Sequence, residues 1–128
     1  MRVQVVRLQL QNPWRIAHGV STERSTVIVE RNGGYGEAAI VPYLGESSAE
    51  ILAAIDSLGL NNVNDHDAEV RGDVTRLLAS RGAQCALDLA SLDAEGQIRG
   101  EPLWKVLGVN AAAPIETSFT IAMDTPDE

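Results

Sequence analysis

Apolar and polar positions alternate along the first third of the chain and then take up a spacing of three and four, so strands are expected to precede helices. Val3 and Val5, then Leu8 and Leu10, alternate with Gln4, Arg7, Gln9 and Gln11. The phase slips at Val5-Val6, which predicts a β-bulge there. A Pro-containing stretch over 12–24 reads as a loop, and the β-branched run Ser25-Thr26-Val27-Ile28-Val29 predicts a second strand. Asn32-Gly33-Gly34 supplies the positive φ of a tight hairpin turn, and Tyr35 to Val41 is the returning third strand. The prediction is a three-stranded antiparallel meander.

The second half is helical in period. Ser47, with Glu50 three residues later, forms a capping box. Ile51, Leu52, Ile55 and Leu58 then share a face, and Gly59 supplies the stop. A polar stretch over 61–67 leads to a second helix that aligns Val70, Val74, Leu77 and Leu78, although Gly72 inside it costs about 1 kcal/mol relative to Ala. A third helix is expected from about Gly82 to Gln97, with the stripe Gly82, Cys85, Ala86, Leu89, Leu92, Asp93 and Gly96. These residues are mostly small, which lets another backbone or a sheet approach closely. Pro102-Leu103-Trp104-Lys105-Val106-Leu107-Gly108 reads as a short helix, with Pro at its first turn and Gly just past its end.

The final stretch changes character again. Ile115-Glu116-Thr117-Ser118-Phe119-Thr120-Ile121 reads as a strand, and Thr125-Pro126-Asp127-Glu128 as a helix start with an N-cap, Pro and first-turn acids. A frayed polar tail is the alternative; a strand, a short loop and a helix N-terminus are the opening of a β/α unit.

The chain's 128 residues suit one compact domain. A net charge of −8, with ten scattered Lys and Arg, argues against a nucleic-acid footprint, which needs a clustered basic face. No apolar run approaches the ~20 residues of a membrane span, and the start lacks a signal peptide's apolar stretch. The single Cys85 permits no intrachain disulfide. Together these features predict a cytoplasmic protein with neither nucleic-acid nor membrane partner.

Several groups invite a chemical reading. Asp93 lies on the small-residue stripe, where a buried carboxylate needs partners, and it reads as a hydrogen-bonded brace rather than a catalytic group. Asp65, Asp67 and Glu69 alternate as calcium ligands do but lack the glycine turn and terminal Glu, so they read as solvated. Gly33-Gly34-Tyr35-Gly36 is no phosphate loop, because no Lys-Ser or Lys-Thr follows. Ser, His and Cys occur outside any nucleophile elbow.

Specific strings carry a family likeness. Trp14-Arg15-Ile16-Ala17-His18-Gly19 resembles the mobile substrate loop of dipeptide epimerases and their muconate-cycloisomerase-like relatives. Tyr35-Gly36-Glu37-Ala38-Ala39 and Pro42-Tyr43-Leu44-Gly45-Glu46-Ser47 resemble their third strand and second capping loop. Ala86-Leu87-Asp88-Leu89-Ala90-Ser91-Leu92-Asp93, with Gly100-Glu101-Pro102-Leu103-Trp104 and Leu107-Gly108, is similar to the helix and linker that lead into their barrel. Thr117-Ser118-Phe119-Thr120-Ile121 with Asp124-Thr125-Pro126 is similar to the first barrel strand and the helix start that follows it. Leu92 departs from the pattern, standing where relatives usually carry a Trp, and the region over 58–73 is shorter and more polar than theirs.

The likeness, to the enolase superfamily (mandelate racemase and muconate lactonizing enzyme type), implies an α+β fold: a three-stranded antiparallel meander followed by a bundle of three to four helices. It divides the chain into a capping domain over 1–108 and, over 109–128, a linker with the first strand of a truncated β/α barrel. It also implies a homo-oligomeric, metal-dependent racemase or epimerase acting on dipeptides of the L-Ala-D/L-Glu type. Such an enzyme stabilises an enolate on Mg2+ and moves the α-proton with lysine bases. The family's Lys-x-Lys and metal carboxylates lie on later barrel strands, and the one lysine here, Lys105, falls in the linker helix. The resemblance therefore implies no catalytic or metal-binding residue in this chain and no Mg2+ bound by it alone. What it does imply is a lid over the chain's own C-terminal barrel domain.

Five residues carry over as substrate-facing: His18 and Val20 in the first loop, Arg24 at its end, Tyr43 in the second loop, and Thr120 at the end of the barrel strand. Three of them have a plainer alternative: solvation for Arg24, packing for Tyr43, strand burial for Thr120. Two other functions stay open, the cap of a muconate cycloisomerase or o-succinylbenzoate synthase, and a stand-alone binding or assembly module.

Overall fold

A computed structural model describes residues 1–16, 19–59, 79–110 and 116–119. Three strands, β1 (Arg2–Ile16), β2 (Gly19–Arg31) and β3 (Gly34–Ala39), form one antiparallel sheet in the order β1-β2-β3. A short 3-10 turn (Pro42–Leu44) leads to α1 (Ser48–Asp56), and later come α2 (Arg81–Arg99) and α3 (Leu103–Val106). The expected α+β architecture is present.

The β2–β3 turn follows from its residues. Asn32 and Gly33 hold φ of 51° and 84°, the pair of positive values that a two-residue type I′ hairpin requires. The first hairpin departs from expectation twice. Pairing runs unbroken from Arg2 opposite Glu30 to Gln9 opposite Glu23, so no bulge lies at Val5-Val6. Val5 and Val6 simply take opposite faces of an edge strand, and Val5 remains 46% exposed. The irregularity falls between Gln9 and Trp14, after which pairing resumes with Trp14 opposite Ser21. Four residues, 10–13, thus face Thr22 alone, and Pro13 among them has no N–H to give to the ladder. The second departure is that most of the stretch read as a loop is paired ribbon. The sequence suggested a loop there, but Trp14, Arg15 and Ile16 pair with Ser21, Val20 and Gly19 across the ribbon.

Period two sorts the sheet into two faces. Val27 and Val29 of β2 and Gly34, Gly36 and Ala38 of β3 are buried toward the helices. The side chains of Val27, Val29, Ile51, Ile55 and Leu87 are fully buried, each contributing about 1.5–3 kcal/mol. The α1 capping box forms as expected: Glu50 N–H donates to Ser47 Oγ (3.3 Å), and Ser47 N–H donates to Glu50 Oε2 (2.8 Å).

Helix α2 lies directly on β3. Its sheet-facing stripe is Ala83, Ala86, Leu87, Ala90 and Ala94, rotated from the one expected; Cys85 is exposed and Leu89 is 41% exposed. The reason is steric. At Gly34 and Gly36 a Cβ would stand 2.2 Å and 1.9 Å from carbonyl oxygens of Ala90 and Ala86. Only an alanine surface can meet a strand at that separation. Ser80 Oγ caps the helix by accepting from Ala83 N–H (3.0 Å), and Glu46 Oε2 accepts from Gly82 N–H (2.9 Å), where the helix dipole favours a carboxylate. Gly100, at φ 63°, closes the other end.

Asp93 acts as the expected brace. Its Oδ2 accepts from Tyr35 N–H (2.8 Å), a β3 amide that finds its partner on α2 rather than in the sheet, and from Gln97 Nε2 (2.9 Å). The predicted helix over 70–78 and the acidic group at Asp65, Asp67 and Glu69 lie outside the described residues. So do the ends of the strand expected over 115–121; its residues 116–119 are exposed, with no regular structure.

Candidate functional site

The face of the sheet turned away from the helices carries a groove. Leu8, Arg24, Thr26, Glu37 and Ala39 form its floor by strand alternation. Trp14, Val20 and Ser21 of the β1–β2 ribbon bound one side, and Ile40, Val41 and Tyr43 after β3 bound the other. The groove's volume is about 850 Å3.

Of the five residues singled out from sequence, the fold brings Val20, Arg24 and Tyr43 together on this groove. Val20 is 61% exposed and Tyr43, on its 3-10 turn, 88% exposed, so neither packs in the core. Arg24 is half-buried and donates from its guanidinium to the Glu23 carbonyl (3.3 Å). His18 and Thr120 lie outside the described residues.

Sequence reasoning missed Leu8, Trp14, Thr26 and Glu37. The signal for Thr26 and Glu37 was present, since period two puts them on the face opposite Val27 and Ala38. Trp14 opens the string likened to the substrate loop but was not singled out, because its place on the groove depends on its pairing with Ser21. The buried Thr26 hydroxyl shares its proton between Glu37 Oε1 (2.7 Å) and the Ala38 carbonyl (2.9 Å), which orients the Glu37 carboxylate. Arg24 also borders a smaller cavity with Trp14, Leu10, Gln11 and Asn12.

Among the described residues the groove thus offers one cation, one oriented carboxylate and a mostly apolar wall. Lys105 does not line it; the ammonium sits on α3, 5.5 Å from the centre of the Trp104 ring. Among the described residues no three His, Cys, Asp or Glu side chains converge to hold a metal ion, and no helix is long and apolar enough to cross a membrane.

A meander backed by helices, with a ribbon and a capping loop flanking a groove on the open face, defines an α+β domain of the enolase N-terminal type. The chain belongs to the mandelate racemase / muconate lactonizing enzyme N-terminal domain family, whose model matches residues 1–108. It is similar to the L-Ala-D/L-Glu epimerase of Bacteroides thetaiotaomicron, 34% identical over 73% of this chain and 25% of that protein. It is also similar to the hydrophobic dipeptide epimerase of Citrifermentans bemidjiense, 30% identical over 97% of this chain and 38% of that protein. Among solved structures, an enolase family member from Agrobacterium tumefaciens with homology to dipeptide epimerases shares the fold, with a TM-score of 0.71 at 24% identity, covering 98% of this chain and 39% of that one. The chain spans about a quarter to two-fifths of the length of these relatives.

Proposed function

We propose that residues 1–108 form the substrate-capping domain of a dipeptide epimerase and that the groove is the surface it presents to the substrate. Residues 109–128 are, in this reading, the linker and first strand of the barrel that carries the reaction. The observation that supports it best is the convergence of Val20, Arg24 and Tyr43, drawn from two separate segments, on one groove of a chain whose relatives are dipeptide epimerases.

The chain's own part would be binding and water exclusion. The Arg24 guanidinium suits a substrate carboxylate through charge-assisted hydrogen bonds. Trp14, Val20 and Tyr43 would cover the dipeptide, and removing water strengthens every electrostatic contact at the reacting carbon. Superfamily enzymes use Mg2+ to stabilise the enolate. The described residues do not fit such a site, so no step here runs through the metal.

Domain exchange tests the proposal. Residues 1–108 replace the N-terminal part of the Escherichia coli L-Ala-D/L-Glu epimerase, a relative 29% identical to this chain. Dipeptide α-proton exchange is then followed in deuterated buffer. Exchange is expected from the chimera but not from the 128-residue chain alone, and Arg24→Ala and Tyr43→Ala should each raise KM. Unchanged KM in both variants would mean that the groove does not meet the substrate.

A further inference from the structure

Tyr43 is 88% exposed and its neighbour Leu44 67%, so no core packing fixes the tip of the turn between β3 and α1. The chain leaves the sheet at Ile40, whose N–H reaches the Ser25 carbonyl at 3.4 Å, long for a hydrogen bond. Within the turn, Leu44 N–H donates to the Val41 carbonyl (2.9 Å), which shapes the turn but ties it to nothing beyond. Gly45 follows at φ 74°, a left-handed joint with open space beside it.

The next residue supplies the tie. Glu46 is half-buried between exposed Gly45 and Ser47, and its Oε2 accepts from the N–H of Gly82, 36 residues along the chain, at 2.9 Å. Gly82 lies in the first turn of α2, where free N–H groups and the helix dipole favour a carboxylate. The seat is closely fitted, since a Cβ on Gly82 would stand 3.0 Å from Glu46 Oε2 and 2.8 Å from Ile51 Cδ1. Helix α2 has its own cap in Ser80, whose Oγ accepts from Ala83 N–H, so its start does not depend on Glu46 alone. What Glu46 adds is a link from that start to the Tyr43 turn.

Resting on the capping reading, we infer that Glu46 is a positioning residue for Tyr43. Clamped to the start of α2, it stops the turn from pivoting at Gly45 and keeps Tyr43 at the rim of the groove before any substrate arrives. A side chain already ordered removes its own ordering cost from binding, which corresponds to about two- to tenfold in affinity.

In the 15N-labelled 128-residue chain, Glu46→Ala is expected to lower the order parameter of the Tyr43 amide from about 0.85 to below about 0.6 and to speed hydrogen exchange at Gly82. Glu46→Gln keeps an acceptor oxygen and should retain most of that order. Ser80→Ala uncaps α2 without touching the turn and should leave Tyr43 as it was. Unchanged Tyr43 order in Glu46→Ala, or equal loosening in Ser80→Ala, overturns the assignment. In the domain-exchange chimera, Glu46→Ala should raise KM about two- to tenfold with kcat unchanged, and should add nothing in a Tyr43→Ala background. Effects on KM that add overturn action through Tyr43. An unchanged KM in Tyr43→Ala, beside a turn that Glu46→Ala does loosen, overturns the capping reading and leaves the anchor standing.

Discussion

The contact between α2 and β3 makes Gly36→Ala the sharpest probe of this fold. Gly36 is absent from the positive-φ residues, so its backbone suits any amino acid and the penalty is purely steric. A Cβ there would stand 1.9 Å from Ala86 O, 2.6 Å from Ala90 N and 2.9 Å from Ala86 C, whereas ordinary contact begins at 3.4 Å. All three obstacles are helix backbone, which no side-chain rotation can clear. The helix must therefore retreat by about 1.5 Å, the shortfall at Ala86 O. Overpacking of a well-filled core costs about 1–3 kcal/mol. The retreat would also stretch the 2.8 Å bond from Tyr35 N–H to Asp93, and a hydrogen bond to a charged group is worth about 1.5–3 kcal/mol. Together about 2.5–6 kcal/mol should be lost, a large share of the about 5–15 kcal/mol that holds a domain together. Urea unfolding followed by circular dichroism measures it, with an unchanged m-value as the check that the denatured state is the same. Gly100→Ala is the control: its Cβ meets open space, but φ is 63°, so about 1 kcal/mol of left-handed backbone strain is expected. A Gly36→Ala loss no larger than that of Gly100→Ala would refute the seating of α2 on the strand.

Asp93→Ala should cost about 1.5–3 kcal/mol in the same unfolding assay and raise the hydrogen-exchange rate of the Tyr35 amide, since that N–H loses its acceptor. If the Tyr35 amide keeps its protection, the brace is not made by Asp93. Glu50 supplies a pH prediction. Hydrogen bonds from the Ser47 backbone N–H first, and from its hydroxyl second, hold the Glu50 carboxyl below its ordinary 4.5. Because the folded-state value is the lower one, the cap's contribution is complete above the unfolded-state pKa and disappears as pH falls through the folded value. A carbon-detected titration of Glu50 should therefore have its midpoint below 4.5, and first-turn fraying of α1 should follow it. A midpoint at or above 4.5 would remove the capping box from the account of α1.

Much of this architecture was legible because its causes are local. The capping box at Ser47 and Glu50 and the Asn32-Gly33 turn each depend on a few adjacent residues whose φ preferences and side-chain reach set the outcome. The groove was legible only in part. Arg24 and Tyr43 were found through their likeness to loop residues, but Trp14 and Glu37 were not. Whether they face the groove depends on which residues pair across strands.

Amphipathic period, turns, caps and the smallness of the α2 surface were thus determined by the sequence itself. Only the tertiary structure decided which small stripe meets the sheet. Both stripes of α2 are poor in bulk, and the choice fell to the bare backbone of Gly34 and Gly36, which admits alanine and excludes Leu89. It likewise moved the strand irregularity to 10–13, because a bulge is a mismatch between two strands, and one strand read alone contains no partner against which to count.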